Sequence, residues 1–414
     1  MFSKKQIVIT SLLFALIFHF IFYFNSYGPG IGFLNNLMSF FLAFVSIIMI
    51  LFIYLGTYWR LDFKEKVPLV FFDLFIVWMF ICFIRSLLEI NDLEDIKSYL
   101  FSNYMGISLF PVFFLIAGIN IRYFHTVNQI LFVYLILVTF ISLFFLGYFE
   151  LQVFLLYPIF YIIVTIPLRS GWQKLFILIT SIVIVFFSIT NRAGLLRIFI
   201  GFSIVIAYYV IKYVKLNKIW LNLIVFCVLL IPVASLYLGV KGESVFQMVL
   251  GGNDQPYSQL DPYADTRTFL YYEVFQDLNY NNAFLFGKGL NGGYLSEAFQ
   301  TYNRPVVEVA FLQIIIKTGI VGFLLYAAII ISAIFKALSS SKNMFIRSLG
   351  LLLVSYMILI FIENQIAYNL LNVIIWVVVG MCHSKALREL NDIEINNLLR
   401  RPYLEELQRP LNKG

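Results

Sequence analysis

The sequence predicts an all-α, polytopic membrane protein of about 12 transmembrane helices with one large extracytoplasmic loop. Two observations predict this class: the composition and the distribution of positive charge along the chain. Of the 414 residues, 61% are hydrophobic and 12% are charged, whereas a soluble domain carries about 25% charged residues. The 46 Phe and 26 Tyr residues fit a lipid-facing surface with wide aromatic belts at its two interfaces. The net charge of +7 is spread over short loops, which is typical of membrane-topology signals and argues against nucleic acid as a partner.

Long apolar runs supply the expected membrane-spanning segments. A helix rises 1.5 Å per residue, so about 20 apolar residues cross a hydrocarbon core of about 30 Å. About twelve segments meet this requirement within tolerance: 6–24, 34–57, 67–88, 103–119, 127–147, 151–168, 175–190, 194–214, 219–239, 309–336, 345–363 and 366–382. The first run follows Lys4 and Lys5 and has no A-x-A cleavage site, so we expect an uncleaved helix; a removed signal peptide is the alternative.

The Lys and Arg residues fall mostly in alternate loops, and this asymmetry predicts the orientation of the chain. With both termini in the cytoplasm, the outer loops hold only Lys97, Arg192, Lys241, Arg267, Lys288 and Arg304. Residues 1–382 then form a single transmembrane domain with a large outer loop at about 241–305, and residues 383–414 form a cytoplasmic tail. In the outer loop, residues 266–278 alternate as a helix does, which predicts short amphipathic helices on the membrane surface. The run 306–335 exceeds one span, so we expect an interfacial helix that turns inward near residues 317–319.

Arginines near the outer boundary are the candidates for binding an anionic substrate. Arg192 lies in a tight turn and Arg197 in the helix that follows, and the alternative for both is that they snorkel to the interface. Arg267 offers a planar fork for phosphate oxygens, unless it is a surface residue paired with Asp265 or Glu273.

A second set of candidates surrounds the tenth predicted span. Arg304 and Glu308 lie at its mouth, where Arg304 is alternatively an interfacial anchor. Lys317 and Arg85 lie deeper, and each is a candidate ion-pair partner for Asp73 or Glu308.

The remaining motifs exclude several kinds of site. Residues 287–293 match the pattern GxGxxG, but a dinucleotide site needs this pattern between a strand and a helix of a βαβ unit. We interpret these glycines as a tight turn. The three cysteines lie in apolar runs without CxxC spacing, and none of the three histidines falls in an outer loop. The sequence therefore predicts no metal site, no cofactor and no histidine base on the outer side.

Taken in order, these motifs resemble the Wzy-type polysaccharide polymerases and the related O-antigen ligases. That pattern has a short outer turn opening a helix, here residues 190–194, and an Arg near the start of a loop helix, here Arg267. A glycine turn follows, here residues 286–289 (Phe-Gly-Lys-Gly). The pattern ends with a polar residue opening a helix that ends in Gly-Ile-x-Gly, here Glu308 and residues 317–322. The resemblance covers roughly residues 180–335.

The resemblance implies a GT-C-like fold and a metal-independent glycosyltransferase. Its implied activity is transfer of a growing glycan from a polyprenyl diphosphate onto an acceptor, at the outer face of the bacterial cytoplasmic (inner) membrane. The ligases use a histidine just before the Gly-Ile-x-Gly helix, and residues 304–310 contain none. This difference favours polymerisation of undecaprenyl-diphosphate-linked oligosaccharides, as for an O-antigen in lipopolysaccharide, over ligation to another acceptor.

The residue chemistry is consistent with that activity. Arg side chains stabilise a departing diphosphate, and a carboxylate accepts the proton of the attacking hydroxyl. The residues predicted to bind the diphosphate are Arg192, Arg267, Arg304, Arg197 and Lys317. The predicted catalytic carboxylates are Glu308 and Asp265. The residues predicted to stack on sugar rings are Tyr271 and Tyr272. Expected partners are the lipid-linked oligosaccharide, the bilayer and a chain-length-regulating membrane protein. The alternatives are a ligase and, from another class, a transporter or flippase of lipid-linked glycans, although a transporter is expected to show an internal repeat.

Overall fold

The computed structural model describes residues 66–88, 123–144, 158–187, 192–214, 268–289, 292–297, 301–362 and 370–400, with isolated positions at 13, 17, 107, 111, 219, 221–223 and 225–230. The predicted spans at 6–24, 34–57 and 103–119 lie almost wholly outside these residues, as do most of the span at 219–239 and the first part of the outer loop. The last 14 positions of the predicted tail also lie outside them.

The described residues are mostly helical. In chain order the helices are α1 (Lys66–Leu87), α2 (Tyr123–Phe144), α3 (Ile159–Val164), α4 (Gly171–Phe187), α5 (Arg192–Val214), α6 (Thr268–Tyr280), α7 (Ala310–Ser340), α8 (Met344–Leu359), α9 (Leu370–His383), α10 (Lys385–Glu389) and α11 (Asp392–Arg400). A 3₁₀ turn, Ile166–Leu168, follows α3, and a two-stranded antiparallel hairpin, β1 (Tyr294–Ser296) and β2 (Thr301–Arg304), lies between α6 and α7.

Three of the described helices are individually long and apolar enough to cross a membrane: Val70–Leu87, Leu195–Val214 and Ala310–Ser340. Shorter apolar helices at Val127–Ile141, Gly171–Phe186, Met344–Leu359 and Leu370–His383 coincide with predicted spans. The architecture is therefore compatible with an all-α membrane protein, while the total of about 12 spans stays a prediction. Within the span expected at 151–168, α3 ends at Val164 and a 3₁₀ turn follows, because Pro167 lacks the N–H that would continue the α-helix.

The two ends of α7 contact different parts of the chain. At its N-terminal end, the Phe311 N–H donates to the carbonyl of Ile360 (3.0 Å), just past the end of α8. At its C-terminal end, the Lys342 N–H donates to the carbonyl of Arg388 (2.8 Å). Among the described residues, the end of α8, which is predicted to lie outside, thus meets the N-terminal end of α7, and the tail near Arg388, which is predicted to lie inside, meets its C-terminal end. This grouping agrees with the predicted sidedness, which itself stays a prediction.

Part of the predicted cytoplasmic tail packs against the helices. The Asn343 side chain caps α8 by accepting from the Ile346 N–H (2.8 Å), and its amide donates to the carbonyls of Leu387 and Leu390. The Met344 N–H donates to the Asp392 carboxylate at 2.7 Å. Residues 385–400 therefore fold onto the end of the bundle beside the α7–α8 turn.

The hairpin adds strand to a segment in which the sequence predicts only helix and loop. Tyr294 pairs with Arg304 and Ser296 with Thr301, with an irregularity of register between the two pairs. Strands of three and four residues are too short to show the alternation by which a strand is recognised in a sequence.

We expect exposed residues near the two ends of α7 to react from opposite sides of the membrane. Tyr280 on α6 is 88% exposed and Ile393 on α11 is 72% exposed, so a cysteine at either position should tolerate labelling. In a protein without Cys82, Cys227 and Cys382, a membrane-impermeant maleimide should label Tyr280→Cys in intact cells and Ile393→Cys only after permeabilisation. The reverse pattern would contradict the predicted orientation.

Candidate active site

The centre of the candidate site is a break in α7 that is filled by the glycine turn. Gly319 has φ 72° and ψ 177°, which interrupts the helix at the position where the sequence predicts a turn. The turn places Gly287, with φ 70°, against this break, and a Cβ at Gly287 would lie 2.6 Å from the Gly319 nitrogen. Positive φ and close backbone approach explain why both positions are glycine.

Backbone groups released by the break are satisfied by other segments. The Lys288 N–H donates to the carbonyl of Ile316 (2.6 Å), and the Ile320 N–H donates to the carbonyl of Phe284 (3.0 Å). From α1, the Trp78 Nε1–H donates to the carbonyl of Thr318 (2.9 Å). Irregular backbone inside a membrane protein requires partners of this kind, so the turn and the break form one unit.

Two basic side chains fasten the turn to the helices. The Arg85 guanidinium, at the end of α1, donates to the carbonyls of Phe286 (3.0 Å) and Gly287 (2.9 Å). The Lys317 Nζ donates to the carbonyl of Gly292 at 2.7 Å, and the residue is 2% exposed. These contacts supply hydrogen-bond donors to three backbone carbonyls in and just after the turn. They also fix the backbone position of Gly292, two residues before β1 begins.

A third basic side chain connects the turn to α6. The Lys288 Nζ donates to the carbonyl of Gly293 (3.0 Å) and forms an ion pair with Asp277. Asp277 also accepts from the Leu295 N–H at 3.4 Å. The hairpin is consequently held against α6 through Leu295, the second residue of β1.

The face of β1 that packs toward α6 carries hydroxyl groups. The Ser296 Oγ donates to Oε2 of Glu273 on α6 at 2.8 Å. Tyr294 is fully buried, and its hydroxyl accepts a hydrogen bond from Arg304 Nη1 at 3.1 Å. Burial raises the pKa of the Tyr294 hydroxyl above its ordinary value, so the phenol keeps its proton at neutral pH.

Arg304 and Glu308 form the exposed part of the site. Arg304 Nη2 lies 3.0 Å from Oε1 of Glu308, and the Glu308 side chain is 48% exposed. The intervening segment is fixed by Gln313, which accepts from the Val307 N–H (2.6 Å) and donates to the carbonyl of Pro305 (3.3 Å). A guanidinium beside an accessible carboxylate provides both an anion-binding group and a proton acceptor.

The structure separates the two predicted glycan-stacking tyrosines. Tyr272 is 52% exposed and offers a ring face. Tyr271 is buried: its hydroxyl donates to the carbonyl of Phe361, and its ring centroid lies 5.4 Å from that of Phe311. A stacking role therefore fits Tyr272, whereas Tyr271 anchors α6 to α7 and to the end of α8.

The other predicted site residues are only partly described. Arg192 is the first residue of α5, and its side chain lies outside the described part of the chain, as do Arg267 and Asp265 altogether. Arg197 is buried, with 4% exposure, one and a half turns into α5. Arg304, Glu308 and Lys317 are brought to the same end of α7, and the predicted convergence of Arg192 and Arg267 on them stays a prediction.

Several residues of the site have no prominent signal in the sequence. Tyr294 and Gln313 stand in mixed polar and apolar stretches, and Trp78 stands in the middle of an apolar run. Their only sequence signal is a polar atom in a segment otherwise expected to be buried, since such atoms need partners.

Comparisons with known proteins identify no family and no relative for the chain. No family model matches it, and neither curated proteins nor solved structures give a significant match. Among the described residues, no three His, Cys, Asp or Glu side chains are grouped so that they could hold a metal ion.

Proposed function

We propose that the chain is a metal-independent glycosyltransferase that polymerises polyprenyl-diphosphate-linked oligosaccharide repeat units at the outer face of a bacterial cytoplasmic membrane. The observation that carries the proposal is the Arg304–Glu308 pair at the mouth of α7. It lies beside a glycine turn and a helix break that occur in the order seen in the polymerase family. We further propose the GT-C-like arrangement of about 12 spans that the resemblance implies.

In this proposal Arg304 binds the diphosphate and Glu308 acts as the base. A desolvated diphosphate carries two or three negative charges, and a guanidinium donates parallel hydrogen bonds to its oxygens. The diphosphate displaces Glu308 from the Arg304 guanidinium and leaves that carboxylate ready to accept the proton of the acceptor hydroxyl. Tyr272, which is exposed on α6, is placed to stack on a sugar ring. Arg192, Arg267 and Arg197 remain the proposed additional phosphate ligands, and Asp265 remains the alternative base.

A transporter or flippase of lipid-linked glycans is the second candidate, because a discontinuous helix such as α7 is a recurrent feature of transporters. In transporters the half-helix ends face a substrate cavity. Here the Thr318 carbonyl accepts from Trp78 and the Ile320 N–H donates to Phe284. Protein groups therefore already bind the polar groups at these helix ends. This indicates that the break holds the glycine turn in place and does not bind a substrate.

Deletion of the gene in its host should distinguish the candidates by the glycan that remains. For a polymerase we expect single repeat units on the surface lipid, since export and attachment continue while chain growth stops. A ligase deletion would instead leave undecorated acceptor, and a flippase deletion would leave no exported glycan. Either of these two outcomes, seen by gel electrophoresis of extracted glycolipid and reversed by the wild-type gene, would contradict the proposal.

A further inference from the structure

We infer that Tyr294 is a positioning residue for the proposed reaction: its buried hydroxyl accepts a hydrogen bond from the Arg304 guanidinium and holds that group in place. The inference rests on the proposed function of the Arg304–Glu308 pair. Neither the motif pattern nor the residue chemistry of the sequence assigns a role to Tyr294.

Arg304 is held on both of its terminal nitrogens, by partners of different character. Nη2 donates to Glu308, whose side chain is 48% exposed, and Nη1 donates to the hydroxyl of Tyr294, which is fully buried. A partly hydrated carboxylate rotates and exchanges with water, so it constrains the guanidinium weakly. The buried phenol has a fixed ring and therefore determines the direction in which the guanidinium fork points.

The two strands of the hairpin are held by side chains of different segments. The Tyr294 hydroxyl on β1 accepts from Arg304 Nη1 at 3.1 Å, and the Ser296 hydroxyl, two residues further along β1, donates to the Glu273 carboxylate on α6 at 2.8 Å. β1 is therefore fixed to α6 close to the residue that contacts the guanidinium.

The backbone supports this geometry from two directions. Tyr294 and Arg304 are directly paired across the hairpin, so the phenol and the guanidinium belong to adjacent positions on neighbouring strands. Lys317 fixes the carbonyl of Gly292, two residues before Tyr294, to the first half of α7. Ser296 fixes the other end of β1 to Glu273 on α6, so β1 is held between α6 and the first half of α7. The buried phenol thereby keeps Arg304 positioned when a diphosphate displaces Glu308.

A double-mutant cycle tests the inference with purified protein and the lipid-linked oligosaccharide as donor. The proteins are wild type, Tyr294→Phe, Arg304→Lys and the double variant. Loss of one hydrogen bond to a charged group predicts a fall in kcat of about 10-fold for Tyr294→Phe. In the Arg304→Lys background we expect the same change to lower kcat by less than about 2-fold, because the single ammonium nitrogen of Lys cannot contact the phenol and an anion with two separate nitrogens as a guanidinium does.

Tyr356→Phe provides a matched control for a purely structural effect. It removes another buried phenol hydrogen bond, between the hydroxyls of Tyr356 and Tyr326 at 2.7 Å, away from the site. We expect it to lower the melting temperature without lowering kcat. If Tyr294→Phe lowers kcat by the same factor in both backgrounds, or behaves as Tyr356→Phe does, the positioning inference is wrong and the proposed site stands. If Arg304→Ala polymerises at the wild-type rate, the proposed function of the site is itself wrong.

Discussion

Gly319→Ala is expected to abolish the folded protein. The residue has φ 72°, and a Cβ there would overlap the carbonyl of Leu285. With ψ 177° the residue lies in a backbone region that is essentially restricted to glycine and costs an L-residue about 1–3 kcal/mol. Separation of the turn from the break would leave buried backbone groups unsatisfied at about 1–3 kcal/mol each. We therefore expect a destabilisation on the order of 4 kcal/mol or more, measured as loss of monodisperse protein in detergent and of a cooperative melting transition.

Gly171→Ala is the matched control for this prediction. Gly171 begins α4, and a Cβ placed on it meets nothing within 4 Å. The substitution adds the same methyl group at an open position, so expression and melting temperature should stay at wild-type levels. A Gly319→Ala protein as stable as Gly171→Ala would show that the turn does not occupy the break as described. Gly287→Ala is expected to behave as Gly319→Ala does, because its Cβ would meet the same backbone from the opposite side.

Arg304→Ala is expected to lower polymer synthesis by about 10–150-fold at equal protein level. Loss of a charge-assisted hydrogen bond costs about 1.5–3 kcal/mol, which corresponds to this factor when the bond acts in the transition state. Arg304→Lys should also be impaired, because an ammonium keeps the charge but cannot donate two parallel hydrogen bonds. Folding should be retained, since the Arg304 side chain is 21% exposed at a polar edge. Glycan length on gels and initial rates with purified protein are the measurements.

The Lys385–Glu389 ion pair provides a control of the same geometry. It has the same i,i+4 spacing on an exposed surface, with 3.6 Å between the charged atoms, and it lies near the opposite end of α7. Lys385→Ala should leave both rate and glycan length unchanged, as expected for a surface pair that contributes about 0–1 kcal/mol to stability. Near wild-type polymer from Arg304→Ala would end the assignment of Arg304 to the diphosphate.

The sequence was most informative where one physical requirement dominated. Long apolar runs predict spans at 67–88, 194–214 and 309–336, because backbone groups in lipid need internal partners. The structure has helices at Lys66–Leu87, Arg192–Val214 and Ala310–Ser340. The break in α7 was also predicted, since a Lys-Thr-Gly sequence within an apolar run of more than one span favours a change of direction. α6 was predicted within two residues of its start and end, since its apolar positions recur with helical spacing.

Tertiary contacts decided how the candidate site is assembled. Tyr271 and Tyr272 are equivalent in sequence, yet adjacent helical positions point about 100° apart, so one is buried against α7 and the other is exposed. Lys317 is predicted from the sequence as an ion-pair partner of Asp73 or Glu308 and as a diphosphate ligand. In the structure it is buried, and its described partner is the carbonyl of Gly292.

By itself, the sequence determined where the long described helices lie, where α7 breaks and which glycines permit that break. Helix formation and backbone strain depend on local residue type and spacing, which the sequence displays directly. Only the tertiary structure decided which carbonyls the basic side chains hold and how Tyr294 meets Arg304. Those contacts join α1, α6, the hairpin and α7 across as many as 202 positions of chain. A hydrogen bond over that separation depends on the packing of whole helices, and no local pattern of residues encodes it.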